Sequence, residues 1–262
     1  MSFNYTTYLK VDELLNLQEP RSSPAEHDEM LFIVIHQVYE LWFKLLMHEL
    51  DKAKRDFSGD DLFGAIHTFK RSRTIMKTLV SQIDILETMT PMSFNSFRDW
   101  LENASGFQSA QFRELEFLLG YKRADMDFAA LYGSETPGYA KVVRRLNERS
   151  LIDHFYDFLA KRGATIPTAV RNRNVRESNQ PNADIQAGIL RLYHASKEVA
   201  ILFELMTDFD EGLQEWRYRH VKLVERTIGN KKGTGGSLGV EFLKRSLFMP
   251  VFPDLWAIRH EL

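Results

Sequence analysis

The chain of 262 residues has no cysteine. Disulfide scaffolds, Cys-ligated zinc, iron–sulfur clusters, thiolate-bound haem and cysteine nucleophiles are therefore excluded. The redox compartment stays open, because a chain without thiols is indifferent to it. An excess of one charge is also lacking. The 34 Lys and Arg face 36 Asp and Glu, a formal charge of −2, which argues against a nucleic-acid partner. Met1-Ser2-Phe3-Asn4-Tyr5 lacks the basic and apolar regions of a signal peptide. No apolar run approaches the ~20 residues of a membrane span, since Met30 to His36 is broken within one turn. The expectation is a soluble, cytoplasmic protein with neither a nucleic-acid nor a membrane partner. What is present is core material: 44% hydrophobic residues, 12% of the chain being aromatic. A monomer of this mass should expose roughly 12,000 of the ~44,000 Å² of its extended chain, so a single domain over 1–262 or two tightly packed halves are both allowed.

The dominant period is helical. Ser23-Pro24-Ala25-Glu26 has the form of a capping box, with Ser at the N-cap, Pro at the first helical position and Glu at the third. No Gly or Pro follows until about Asp56, and Leu31, Ile35, Val38, Trp42, Leu45, Leu46 and Leu50 step by three and four. A second helix is predicted over 60–86. A third runs over 93–119, stopped by Gly120 and with a possible interruption at 103–106. Short helices follow over 125–132, 139–147 and 151–161, the last stopped by Gly163. Residues 163–182 read as a long loop. Residues 183–228 read as one long helix or two, closed by Gly229. A Gly-rich loop over 233–239, a short helix over 240–247 and a Pro-punctuated end complete the chain. Strand-like alternation is absent, and the fold class is all-α, a bundle of long helices.

Of the eight histidines, none has Glu three residues before it and none lies four residues from another, which removes the di-iron and HExxH signatures. His36 and His220 lie on apolar helix faces. His36 is flanked by Phe32, Ile33, Tyr39 and Phe43, and His220 by Leu213, Trp216, Leu223 and Val224. A buried imidazole needs a polar partner or a metal. Each is therefore either a core histidine bonded to a backbone carbonyl or a functional one: a haem ligand in one case, a distal-pocket residue in the other. Arg98 shares a helix face with Phe94. It suits the carboxylate of an aromatic amino acid, bidentate on the guanidinium with rings beside it, or else forms an ordinary surface pair with Glu102 at i+4. The Gly-rich loop fits neither GxGxxG nor a Walker A order. It is a helix connector or a mobile loop closing on a small ligand, with Thr234 as a donor. Arg171, Arg173 and Arg176 read as a solvated face, with a phosphate site as the alternative.

Longer words accompany these residues: Tyr5-Thr6-Thr7-Tyr8-Leu9, His27-Asp28-Glu29-Met30-Leu31-Phe32-Ile33 on to His36-Gln37, and Glu40-Leu41-Trp42-Phe43-Lys44. Leu86-Glu87-Thr88-Met89-Thr90-Pro91, Phe97-Arg98 and Ser105-Gly106-Phe107-Gln108-Ser109 follow, then Trp216-Arg217-Tyr218-Arg219-His220 and Gly233-Thr234-Gly235-Gly236-Ser237. In this order they resemble the tryptophan 2,3-dioxygenase family, haem enzymes that open the indole ring of L-tryptophan. The resemblance covers nearly the whole chain.

It implies a helical bundle around a pocket for haem b, with O2 as co-substrate and N-formyl-L-kynurenine as product, the first step of tryptophan degradation by the kynurenine pathway. It implies that His220 is the proximal iron ligand and that His36 meets the indole N–H. Phe32 would pack on the indole, Arg98 would bind the substrate carboxylate, and Thr234 would hold its ammonium and carboxylate. Ser105 and Gly106 would lie near the haem edge. Some members of the family carry Tyr at the position of Phe94, which cannot donate that hydroxyl bond. Residues 1–20 would form an N-terminal arm whose Tyr5, Tyr8 and Leu9 reach a neighbouring subunit's site in a homotetramer. Two other readings are set beside this one. A related haem monooxygenase would add one oxygen atom to an indole, and a non-catalytic sensor would bind haem or indole without consuming O2.

Overall fold

The computed structural model describes residues 3–124, 126–229, 231 and 239–262. Among these, every regular element is helical. Two short exposed helices, α1 (Tyr5–Leu9) and α2 (Val11–Leu15), precede α3 (His27–Gly59) and α4 (Leu62–Leu86). Then come α5 (Pro91–Arg98), α6 (Ala110–Leu119), α7 (Phe128–Tyr132), α8 (Pro137–Asn147), α9 (Leu151–Lys161) and α10 (Thr168–Arg171). The series ends with α11 (Ala183–Ala195), α12 (Lys197–Ile228), α13 (Val240–Lys244) and α14 (Pro253–Ala257).

Helix α4 packs against both α3 and α12, with α6 and α9 against α3 and α11 against α12. Their apolar stripes meet in one large core: Leu46, Leu50 and Phe57 from α3, Phe69 and Leu79 from α4, Phe203, Met206 and Phe209 from α12 are fully buried. Polar ties fix the register. Arg219 bonds Asp84 at 2.6 Å and Glu87 at 3.1 Å, and Arg73 bonds Asp208 at 2.7 Å, so α12 is held to α4 at two heights. The C-terminal segment is held by one buried carboxylate. Asp210 accepts the backbone N–H of Val251 (3.0 Å) and Phe252 (2.9 Å) and the indole N–H of Trp256 (3.0 Å).

Several boundaries differ from the sequence reading. The Ser23 capping box does not form: α3 starts at His27 with Glu26 at its N-cap. Ser22 takes the capping part instead, its hydroxyl accepting the Glu26 N–H at 2.9 Å and donating to buried Glu29, which also accepts the N–H groups of Arg21 and Ser22. The predicted third helix is broken over 99–109, where two 3₁₀ turns, Asp99–Leu101 and Gly106–Gln108, separate α5 from α6. The stretch 183–228 is two helices, because Ser196 is extended and caps α12 through Val199 N–H. Gly120, Gly163 and Gly229 have positive φ at the predicted stops. Arg173 is not solvated: it pairs with Asp153 at 2.6 Å and is largely buried.

By length and composition α3 is apolar enough to cross a membrane, with a window of mean hydropathy 1.4, contrary to the sequence reading. Its inner face is the core just described. Met30, Val34, Leu41 and Leu45 lie on its outer face and are exposed.

Candidate active site

A largely apolar cavity of about 290 Å³ lies where α3, α4, α5, the 99–109 turns, α6, α12 and α13 converge. Both apolar-face histidines line it, His36 from α3 and His220 from α12. The long helices place them there because each sits on the stripe that faces the core.

The two rings differ in their bonding. His36 Nδ1 lies 2.6 Å from the carbonyl oxygen of Phe32. A carbonyl only accepts, so Nδ1 carries the hydrogen and Nε2 keeps its lone pair. Burial pushes the His36 pKa down, ahead of the Phe32 carbonyl and the Glu40 carboxylate, which push it up. His220 makes no hydrogen bond to any described residue. Its ring lies parallel to that of Trp216, one turn earlier, at 2° and 5.2 Å. Burial, and secondarily His36, push its pKa down to about 4. Both imidazoles are neutral at pH 7. The carbonyl-bonded histidine that the sequence allowed is thus met by His36 alone. His220 presents a neutral imidazole, unbonded to any described residue, to this cavity, where a ring nitrogen can take a ligand.

On the His36 side the wall is aromatic. Phe32 lies 4.1 Å from the His36 ring, 5.8 Å from Phe94 and 5.6 Å from Phe97, centroid to centroid. Arg98 borders the same space from the end of α5. Because α5 stops there, Arg98 and Glu102 do not share one α-helical turn. Ser105 caps the second 3₁₀ turn, its hydroxyl accepting Phe107 N–H at 3.3 Å. A Cβ built on Gly106 meets no atom within 4 Å, so open space lies beside that backbone.

A charged wall completes the cavity. Arg113, Arg123, Arg217 and Glu116 border it, and Arg113, Arg217 and Glu116 are buried. Arg113 pairs with Glu116, and Arg217 lies 4.0 Å from the same carboxylate. Arg217 also donates to the Met249 carbonyl at 2.8 Å. Four guanidinium groups, counting Arg98, and two carboxylates, Glu40 and Glu116, line a pocket that is otherwise largely apolar, a formal excess of positive charge. An imidazole unbonded to any described residue, an apolar lumen, open space at Gly106 and this excess of cationic side chains fit a flat, apolar, dianionic ligand taken through one ring nitrogen, which is the chemistry of haem b.

The cavity thus gathers Phe32, His36, Phe94, Arg98, Ser105, Gly106 and His220 from residues 32 to 220. It does not gather Tyr5, Tyr8 and Leu9, which lie on α1 and are 75%, 66% and 45% exposed. Thr234 lies outside the described residues. The sequence reading missed Glu40, Ser109, Arg113, Glu116 and Arg217. Arg217 precedes His220 by three positions, so it could have been found from the face it shares with that histidine.

The tryptophan 2,3-dioxygenase family model matches residues 1–161 and 187–262. The chain belongs to the tryptophan 2,3-dioxygenase family. It is 52% identical to a tryptophan 2,3-dioxygenase of Herpetosiphon aurantiacus, over 100% of this chain and 99% of that one. It is 49% identical to one of Anaeromyxobacter dehalogenans (100% and 97%) and 42% identical to one of Kineococcus radiotolerans (99% and 91%). Like the family it is an oxidoreductase, a dioxygenase acting in tryptophan catabolism, and the monooxygenase reading is not favoured. The family is haem-dependent and uses O2.

Proposed function

We propose that the cavity holds haem b on His220 and an L-tryptophan on the opposite side, against His36. The observation that carries this is the pair of neutral imidazoles on different helices lining one cavity, one unbonded to any described residue and one with Nε2 left as an acceptor. When bound, haem with O2 supplies the chemistry that opens the indole C2–C3 bond to give N-formyl-L-kynurenine. The protein's own part is binding, orientation and exclusion of water.

His36 Nε2 accepts the indole N–H, and its hydrogen bond to Phe32 fixes which nitrogen does so. Phe32 and Phe94 pack on the indole. Arg98 takes the carboxylate, and with Phe94 lacking a hydroxyl the rest of that task falls to Thr234. Ser105 and Gly106 would leave room at the haem edge, and Arg113, Arg123 and Arg217 would supply cationic side chains for its propionates. With haem and substrate in place, the largely apolar walls would keep water from the reacting atoms.

The arm of residues 1–20 reaches a neighbouring subunit in a homotetramer, where Tyr5, Tyr8 and Leu9 complete the partner's site. Supporting this, the isolated chain exposes 14094 Å², well above the ~12,000 Å² of a compact monomer of its mass. The excess is apolar in places, on α1 and along the outer face of α3, as expected of surface meant to be covered. With the inner face of α3 built into the core, we read the chain as a soluble cytoplasmic enzyme.

The test is a haem-reconstituted, reduced sample mixed with O2 and L-tryptophan, with product mass as the readout. Two added oxygen atoms with an opened ring support the reading. One added oxygen moves the protein to the monooxygenases, and haem binding without O2 consumption makes it a sensor.

A further inference from the structure

Glu40 stands one helical turn beyond His36 on α3 and borders the same cavity. Both of its carboxylate oxygens are engaged from the far side of the pocket. Ser109 Oγ donates to Oε1 at 2.6 Å, and Gln111 Nε2 donates to Oε2 at 2.8 Å and to the Glu40 carbonyl at 2.9 Å. Bonds to an ionised acceptor are the stronger kind. Ser109 is also a junction. It closes the 3₁₀ turn that begins at Gly106, and its hydroxyl accepts the Phe112 N–H at 3.1 Å, which starts α6. The turn itself is closed by Ser105 N–H donating to Gln108 at 3.2 Å, so it moves as a unit with Ser109. A pull at Ser109 is therefore felt at Ser105 and Gly106.

We propose that Glu40 is a positioning residue: its carboxylate sets the gap between the 105–109 turn and the His36 wall, where the substrate ring and O2 are to meet. The inference rests on the reading of the cavity given above. Glu40 touches no reacting atom in this scheme and acts through Ser109 and Gln111.

The test uses Glu40→Gln, Glu40→Ala, Ser109→Ala and the double variant Glu40→Ala/Ser109→Ala. In the haem-free chain, amide hydrogen exchange over 105–111 should quicken about tenfold in Glu40→Ala, the worth of one such hydrogen bond, and less in Glu40→Gln, which keeps one acceptor oxygen. In haem-loaded protein, haem stoichiometry and the spectrum of the His-bound iron should match the parent, since His220 is on another helix. kcat should fall by ~10- to 100-fold, as expected of a small misplacement, with KM changing far less. The double variant should lose less than the product of the single losses, the mark of one shared path. Unchanged exchange over 105–111, an unchanged kcat in Glu40→Gln and Glu40→Ala, or fully multiplicative losses overturns the proposal. A parent protein that fails to turn over tryptophan overturns the cavity reading instead, and the exchange experiment then still decides whether Glu40 holds the turn.

Discussion

The rings of Trp216 and His220 lie parallel to within 2°, their centroids 5.2 Å apart. Trp216 is buried against Tyr39, Phe43 and Phe112, so it cannot rotate without moving the core, and His220 inherits that rigidity. His220→Ala should fold normally and lose stable haem binding. Trp216→Leu should keep the ligand but loosen its ring, weakening haem retention ~10-fold or more, as for other groups that orient a metal ligand. Haem titration followed by transfer to apomyoglobin measures both. Full haem retention and activity in His220→Ala would end the model.

Arg98 carries the only charge assigned to the substrate carboxylate among the described residues. Arg98→Leu should cost ~2–4 kcal/mol of tryptophan binding, for a buried charge left without its partner, with haem content unchanged. Phe94→Tyr should act in the other direction, adding a hydroxyl beside that carboxylate and improving binding by ~1 kcal/mol. Tryptophan titration of the ferric protein and steady-state KM check the pair, and equal affinity in all three proteins would remove Arg98 from the site.

Gly106 offers a cleaner separation of fold from function. Its φ is not in the positive range and a Cβ there touches nothing, so Gly106→Val should melt within about 1 kcal/mol of the parent, as surface changes do. The added methyl groups would stand in space assigned to haem and O2. Thermal denaturation of the apoprotein should be unchanged while haem uptake or turnover falls. A variant with parental activity would show that the space beside Gly106 is not used.

Far from the cavity, Asp51 and Arg145 join α3 to α8 by two bonds, at 2.8 and 2.6 Å, with Glu148 on Arg145 at 2.6 Å. Burial pushes the Asp51 pKa up, but the Arg145 hydrogen bonds and charge outweigh it and hold the carboxyl below its ordinary value. A group depressed in the folded state stabilises above its unfolded pKa, ~3.9, and loses that contribution as pH falls through the lower folded value. Asp51→Asn should therefore cost ~1–2 kcal/mol at pH 7, discounted because Asp51 is partly exposed. The difference from the parent should shrink as pH falls below ~4. Urea denaturation at several pH values tests this, and a cost independent of pH would refute it. Turnover per haem should stay as in the parent.

The contrast between α9 and the start of α3 shows how much of the fold could be read from residues alone. Helix α9 fills its predicted span, 151–161, because its stop at Gly163 is a local signal, and the Ser150–Asp153 capping box at its start is local too. The capping box at Ser23 failed because Ser22 and Glu29, seven residues apart, supply a stronger set of bonds than the local box. The stretch 183–228 allowed one helix or two, and the choice falls to Ser196, whose hydroxyl caps α12 through the Val199 N–H. At the site, His36, His220 and Arg98 stood out as polar groups on apolar faces. Glu40 did not, because its meaning depends on Ser109 and Gln111, about 70 positions away, and no periodicity encodes a pairing of that range.

The single carboxylate of Asp210 also sets how the segment 251–256 behaves. Its three donors, Val251, Phe252 and Trp256, lie 41 to 46 positions from it in sequence. Removing that one acceptor leaves all three donors without a partner at once, each at the cost of an unmade buried bond. The segment therefore docks on α12 or leaves it as one piece, and does not fray residue by residue.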